Sequence, residues 1–377
     1  LRRIHLPPYL EAIKAGVKTI MISYNSWNGV QCHGSKFLIN DLWKSELKFD
    51  GLVVTDWAGI DEIPGDYKSD IITSINAGID LLMVPGSIYG NNHYKTFIDL
   101  LKESVKEGAV PISRIDDAVT RILRVKYDLG LFDDPYGKVE RVSQVGSKKN
   151  RQVARNAVKM SMVLLKNESN VLPLKKDKNI TVVGSGANNL GMQNGGWTVE
   201  WQGRSTPDFK ILDNDNDGKL NFPEVNSYFS RAYDAKYDKG SVEGFFKNLD
   251  KDSDGDVNTD EFKQAVMESP YQPEGTSILK ALEQASDKKG LITYDPRAES
   301  ISKGDVIVAV VGENPYTEGV GDNPTSGLSS FDAAVLEKCY ESGNKLVVVI
   351  LSGRPLIIKD HVNKWDGLIL LQSQWIR

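Results

Sequence analysis

Two stretches of the chain, VIVAVV at 306–311 and LVVVIL at 346–351, are unbroken runs of apolar side chains, and they constrain the fold more than any other feature. A strand that is apolar at every position has to be covered on both faces, as happens in parallel sheets flanked by helices. The runs are far shorter than the roughly 18 residues a membrane helix needs, so they read as buried strands and no bilayer span is expected. NITVVGSG (179–186), DVIVAVVGEN (305–314), KLVVVILSG (345–353) and DGLILLQS (366–373) together predict one α/β sheet domain.

The first 135 residues repeat the theme. TIMISY (19–24), GLVVTDW (51–57) and DLLMVP (80–85) alternate with the helical stretches FLINDLWKSEL and SDIITSINAG, which predicts a second parallel sheet with helices outside it. Three βα units do not close a barrel, since an eight-stranded one takes about 250 residues. Either this sheet is open or about five units lie outside the chain. A long helix follows, PISRIDDAVTRILRVKYDLGLF, with Ile115, Ala118, Ile122 and Val125 recurring at spacings of three and four. Residues 136–178 read as a linker and a connecting helix, RQVARNAVKMSMVLLKN. The chain opens on what reads as the approach to a helix and stops directly after a strand, so both ends are expected to be cut from a longer protein.

Residues 207–274 differ in character. They hold 16 Asp/Glu against 8 Lys/Arg, a net charge of −8, whereas the whole chain of 377 residues carries −5. The shift marks a module inserted into the sheet domain, which is thereby split into 179–206 and 275–377. Within it, two stretches match D-x-[DN]-x-[DN]-G-x5-E, the calcium loop of the EF-hand. Asp213, Asp215, Asp217, Asn221 and Glu224 take loop positions 1, 3, 5, 9 and 12, with Lys219 offering its backbone carbonyl; Asp250, Asp252, Asp254, Asn258 and Glu261, with the carbonyl of Asp256, repeat the set. Calcium takes six to eight oxygens, two of them from the glutamate at position 12. Val242, Phe245, Phe246 and Leu249 make an apolar stripe on the helix entering the second loop. The reading is an all-α, paired EF-hand binding two Ca2+ ions, as a brace for the domain that holds it.

Other classes of function fall away. A net negative chain without a basic stripe is not expected to bind nucleic acid. Cys32 and Cys339 are too far apart in sequence for a disulfide framework or a zinc cluster, and the scattered His5, His33, His93 and His361 read as structural or surface residues. VVGSGANNLG follows a strand, but Asn189 stands where a dinucleotide loop needs its third glycine.

VVTDWAGID places Asp56 at the C-terminal end of a parallel strand, where a βα enzyme displays a catalytic carboxylate, although such an aspartate can equally cap the next helix. ISYNSWNGV, VVTDWAGID, AGIDLLMVP, SRIDDAVTRILRVK, MSMVLLKN, GSGANNLGMQNGGWTVEWQG, VVGENPYTEGVGDN and SGRPLII follow one another in the chain. Together they resemble the exo-β-glucanases and β-glucosidases of glycoside hydrolase family 3, over everything but the acidic insert. The resemblance implies the C-terminal part of a (β/α)8-type barrel followed by an α/β sandwich, with the active site in the cleft between them.

It also implies roles. Asp56 matches the family's nucleophile and Glu318 its acid/base, with Thr55 and Asn314 standing where the family has a serine and a histidine. Tyr24 matches the tyrosine near the nucleophile, and Trp57 and Trp197 match the tryptophans that clamp the sugar. Ala58 and Glu62 replace an acidic and a basic sugar contact. The implied activity is retaining, exo-acting hydrolysis of β-glucosidic bonds, which needs two carboxyls about 5–5.5 Å apart. A β-xylosidase of the same family, or a vestigial hydrolase serving as a calcium-dependent docking module, are the alternatives. The residues that hold the non-reducing glucose belong to barrel strands outside this chain, so the missing half-barrel is expected to be required, in cis or as a second chain, and the chain alone to be inactive. A polysaccharide substrate and a calcium-rich surrounding point to a secreted or periplasmic protein.

Overall fold

The computed structural model describes residues 2–85, 94–205, 207–233, 238–268 and 275–372. The end of the inserted module at 269–274 and the last five residues of the chain lie outside the described residues. The chain divides into two compact units, Leu1–Val142 and Ser143–Arg377.

In the first unit, helix α1 (Pro7–Lys14) leads into β1 (Thr19–Met21) and a two-strand hairpin of β2 (Ser26–Trp27) and β3 (Val30–Gln31). A wide π-type helix over Phe37–Glu46 returns the chain to β4 (Leu52–Trp57), and α2 (Tyr67–Ala77) carries it to β5 (Leu81–Met83). The sheet is parallel in the order β1-β4-β5. Helices α3 (Tyr94–Lys106) and α4 (Ile112–Asp128) complete the unit. Helix α2 shows how local chemistry sets the punctuation: the Asp66 carboxylate accepts the Ser69 N–H at 2.9 Å at its start, and Gly78, at φ 114°, ends it. Ile20, Ile39, Phe49, Val53 and Ile79 form the core between sheet and helices.

The second unit begins with α5 (Lys148–Ser161) and β6 (Val163–Asn167). Here the structure departs from the sequence reading. The sequence predicts VLLKN as the end of the connecting helix, but it pairs antiparallel with the last strand and forms an edge of the main sheet. Three of its five residues are branched and apolar at the boundary of a helix, and a free sheet edge outweighs propensity there. The sheet continues through β7 (Ile180–Val183), and the short α6 (Leu190–Asn194) follows.

Residues 209–268 then form α7 (Phe209–Leu212), β8 (Lys219–Asn221), α8 (Phe222–Tyr233), α9 (Lys239–Leu249), β9 (Asp256–Asn258) and α10 (Thr259–Glu268). Two helix–loop–helix units are thus tied by the antiparallel β8–β9 ribbon, in which Leu220 faces Val257, both fully buried. Helix α11 (Ile278–Ala285), β10 (Ile292–Tyr294), β11 (Val306–Gly312), α12 (Ser330–Glu341), β12 (Lys345–Ser352) and β13 (Gly367–Gln372) finish the fold. The order is β10-β7-β11-β12-β13-β6, parallel except for β6. The continuous apolar strands β11 and β12 lie at its centre, buried on both faces.

The helices of residues 209–268 share this core. Leu212, Leu220, Tyr228, Phe246 and Val257 belong to the same buried cluster as Ile307, Val348 and Trp365, with Phe331 of α12 meeting Tyr228 edge-on at 5.3 Å. The segment is packed into its host and does not hang from it.

Candidate active site

Strand β4 is buried from Leu52 to Thr55, and its last two residues emerge, Asp56 half-buried and Trp57 exposed. Thr55 cannot turn its hydroxyl to water, so Oγ1 accepts the Met83 N–H of the neighbouring strand at 2.8 Å. The hydroxyl that sequence reading noted at this position therefore ties β4 to β5. The chain then turns through Ala58, at φ 52°, whose N–H donates to the Met83 carbonyl at 3.0 Å.

Asp56 is held through its backbone: its N–H donates to His33 Nε2 at 3.1 Å, and one carboxylate oxygen accepts the Trp57 N–H at 2.7 Å. His33 is fully buried, and burial holds its imidazole below the usual histidine range, against the pull of the Asp56 charge and the Ile22 backbone. A neutral ring is what the geometry needs, because Nε2 can accept only when unprotonated. Gly59 makes room for it, since a Cβ there would lie 2.4 Å from the imidazole. Tyr24 packs edge-on against the same ring, centroids 5.9 Å apart, and its hydroxyl donates to the Trp57 carbonyl. Asp56, Trp57 and Tyr24 thus come together at one end of the sheet. His33, set aside as structural in the sequence, lies beneath all three; nothing in the spacing of four scattered histidines marks it.

The opposite end of the strands holds a charged knot. Asp80, buried just before β5, accepts from Lys44 Nζ at 2.7 Å, from the Val53 N–H at 2.8 Å and from Arg114. Asp117 joins Arg114 at 2.5 Å and Arg121 at 3.0 Å, and Arg121 donates to the Phe49 and Gly51 carbonyls. The phrase SRIDDAVTR is explained by this brace and contributes nothing to the exposed end.

In the second unit, β11 ends at Gly312 and is followed by two glutamates, Glu313 and Glu318, either of which the sequence could offer as an acid. Glu313 is committed. Arg354 forks onto its carboxylate, Nη2 donating to Oε1 at 2.7 Å and Nε to Oε2 at 3.3 Å, while Ser352 Oγ donates at 2.6 Å and the Tyr316 hydroxyl at 3.2 Å. Glu318, by contrast, is exposed in left-handed backbone at φ 40°, opening the turn Glu318–Gly321, and no described residue hydrogen-bonds its carboxylate. Thr317 beneath it is fully buried, its N–H donating to Gln202 Oε1 at 3.0 Å.

Gln202 belongs to the loop that carries Trp197, so this loop and the Glu318 loop are fastened together. A Cβ on Gly196 would lie 2.1 Å from the Tyr316 carbonyl, and one on Gly203 would lie 2.5 Å from Pro315. Trp197, at φ 61° and 48% exposed, meets Trp201 edge-on at 6.0 Å. Both indoles offer apolar surface to solvent, as a sugar platform requires. The Glu313–Arg354 pair follows from strand register: β11 and β12 pair with Gly312 opposite Leu351, which sets the residues just after them side by side.

Each acidic loop closes on its own backbone. Asp213 Oδ2 accepts the Gly218 N–H at 3.1 Å, and Glu224 accepts from Asn214 at 2.7 Å and Asn221 at 3.0 Å. Asp250 and Glu261 repeat this with Gly255 at 3.1 Å and Asn258 at 3.0 Å. Gly218 (φ 84°) and Gly255 (φ 97°) allow the sharp turns. One oxygen of Asp213 and one of Asp250 are buried with no hydrogen-bond partner. Oxygens of Asp213, Asp215 and Glu224 lie within 4.8 Å of one another, as do those of Asp250, Asp252 and Asp254. Asp217, Asn221, Asn258, Glu261 and the backbones of Lys219 and Asp256 belong to the same loops but not to these two clusters. The loops also differ in their surroundings: Arg297 donates to the Asp213 carbonyl at 2.8 Å and to Asn214 Oδ1 at 2.6 Å, which ties the first loop to the segment before β11.

Comparison with known proteins places both units. Residues 1–125 match the glycosyl hydrolase family 3 N-terminal domain and residues 162–373 the C-terminal domain of the same family. The lysosomal beta glucosidase of Dictyostelium discoideum is 30% identical over 95% of this chain and 39% of its own length. The periplasmic beta-glucosidase of Salmonella typhimurium is 27% identical, over 97% and 44% respectively. Among solved structures, the exo-1,3/1,4-beta-glucanase ExoP of a Pseudoalteromonas species superposes with a TM-score of 0.74 at 32% identity, covering 100% of this chain and 40% of that one. The chain therefore spans less than half the length of these relatives.

Proposed function

The chain belongs to glycosyl hydrolase family 3, and from that premise we propose that it supplies both catalytic carboxylates of a retaining, exo-acting β-glucosidase. The observation that carries this reading is the contrast between Glu313 and Glu318: one is locked in an ion pair, the other presented free beside a tryptophan loop. Asp56 attacks the anomeric carbon, and Glu318 donates a proton to the departing oxygen. In the second half Glu318 takes a proton from water, which displaces Asp56 and retains the anomeric configuration. Tyr24, Trp57 and Trp197 bind the sugar. The named activities of the relatives support a β-glucoside or β-glucan substrate, and their lysosomal and periplasmic names support a secreted or compartmental setting.

Three parallel strands are described in the first unit, so the reading assigns it to the C-terminal part of a barrel whose other βα units, in cis or on a second chain, hold the non-reducing glucose. Residues 207–274 are read as the paired EF-hand. The partnerless buried oxygens of Asp213 and Asp250 and the mutual repulsion of clustered carboxylates fit two hard cations. Calcium supplies charge neutralisation there and takes no part in the hydrolysis. The test of the whole reading is trapping: a 2-deoxy-2-fluoro-β-glucoside with a good leaving group should label the full-length protein, and peptide mapping should find the sugar on Asp56. Label on another residue, or inversion at the anomeric carbon, overturns it.

A further inference from the structure

Glu318 sits on a turn with no hydrogen bond to its own carboxylate among the described residues, so its direction has to be set by what holds the turn. Besides the Thr317 N–H on Gln202, the contacts that hold it lead to Tyr316. The ring of Tyr316 has the Arg354 guanidinium over one face, 4.4 Å from its centroid, and its hydroxyl reaches Glu313. The ring also abuts Gly321, where a Cβ would lie 2.4 Å from it, and Gly321 closes the turn by donating to the Thr317 carbonyl at 3.3 Å. Arg354 itself is fixed by the fork onto Glu313, by its own N–H on Ser352 Oγ at 3.2 Å, and by the rigid ends of β11 and β12. Bidentate pairing and stacking on an aromatic face use the planarity of the guanidinium, which a lysine lacks.

We propose that Arg354 is a positioning residue: locked on Glu313, it pins the Tyr316 ring against Gly321 and thereby presents the Glu318 carboxyl to the leaving-group oxygen. The proposal rests on the reading of Glu318 as the acid/base. It separates Arg354 from a residue that merely stabilises the domain, because a misdirected acid harms only the step that needs a proton. An activated phenolate leaves without protonation, whereas an alkoxide does not.

The experiment compares Arg354→Met and Arg354→Lys in the full-length protein on cellobiose and on 2,4-dinitrophenyl β-glucoside, the latter followed as the glycosylation burst. Arg354→Met should lose on the order of 10²-fold in kcat/KM on cellobiose, the scale of an ångström's misplacement, and about threefold or less in the burst. Arg354→Lys should fall with it, since charge without planarity does not rebuild the clamp. Introduced into Glu318→Gln, the Arg354→Met change should cost nothing further on cellobiose. A melting temperature and a circular dichroism spectrum taken alongside report folding. Equal losses on both substrates, or an undiminished loss in the Glu318→Gln background, overturn the proposal. Failure of the underlying reading looks different: Glu318→Gln would then itself show no dependence on the leaving group.

Discussion

The ends of β4 and β11 each display a carboxylate beyond a buried parallel strand, but they hold it in opposite ways. Asp56 is still part of its strand, one residue from the buried Thr55, and its own N–H is anchored to His33. Glu318 stands six residues past the end of β11, and what anchors it is a loop clamped by Tyr316, Gln202 and the Trp197 segment. A nucleophile has to meet one atom along one line, which a strand end provides. An acid that later serves as base has to address first a leaving oxygen and then a water, and a braced loop leaves room for that.

The largest effect expected from breaking this comparison is on the strand side. Asp56→Asn keeps the shape of the side chain and the hydrogen bond from Trp57 but removes the proposed nucleophile. In the full-length protein it should lower kcat by on the order of 10⁴-fold or more on every glucoside, whatever the leaving group. A variant retaining a tenth of wild-type turnover would show that Asp56 caps the turn and does no chemistry.

On the loop side the loss should be selective. Glu318→Gln should cost about 10²–10⁴-fold on cellobiose, the usual worth of a positioned acid, and little in the burst with a dinitrophenyl glucoside. Azide should restore turnover with the activated substrate, because a small anion attacks the glycosyl-enzyme without a base. If Glu313→Gln gave that pattern and Glu318→Gln behaved as wild type, the ion pair with Arg354 would have misled the assignment.

Calcium should sharpen the contrast at a smaller scale, because the acidic segment packs into the same unit as β11. Helix α8 packs on α12 through Tyr228 and Phe331, and Asp332 of α12 receives the Ser185 N–H at 3.1 Å and the Gly312 N–H at 3.3 Å. Binding to the native state stabilises by RT ln(1 + [L]/Kd), about 2.7 kcal/mol at a hundredfold excess over Kd. Chelation should therefore lower the melting temperature of the second unit and leave hydrogen exchange in β1, β4 and β5 unchanged. Asp213→Ala should cost more than Asp250→Ala, since Arg297 couples only the first loop to the host. Equal costs would mean that the docking transmits nothing.

How much of this could be read in the sequence follows the same division. Strand-borne features were legible: β4, β7, β11, β12 and β13 lie where the apolar runs predict them, and Asp56 is placed by its strand. The acidic loops were legible because their spacing is local. What escaped is what depends on pairing between distant segments. VLLKN is a strand because β13 offers an edge, His33 matters because the hairpin returns beneath β4, and the fork of Arg354 on Glu313 exists because two strand ends are in register. No single window of sequence contains these relations.

The smallest expected effect concerns pH, and it tests the anchoring of Asp56 without touching the carboxylate. Burial holds the folded-state pKa of His33 below its ordinary 6.5, so the native protein keeps the ring neutral while the unfolded chain binds a proton below that pH. The unfolded state then holds more protons, and stability falls as the pH drops from 6.5 toward the folded value, being fully present above 6.5. His33→Gln keeps an acceptor for the Asp56 N–H but does not titrate. Its melting temperature should therefore fall less than that of wild type between pH 7 and pH 5. The variant should also keep more activity than His33→Leu, which offers Asp56 no acceptor at all. Parallel pH profiles for wild type and His33→Gln would mean that the imidazole is not held neutral, and equal activities for the Gln and Leu variants that the hydrogen bond to Asp56 directs nothing.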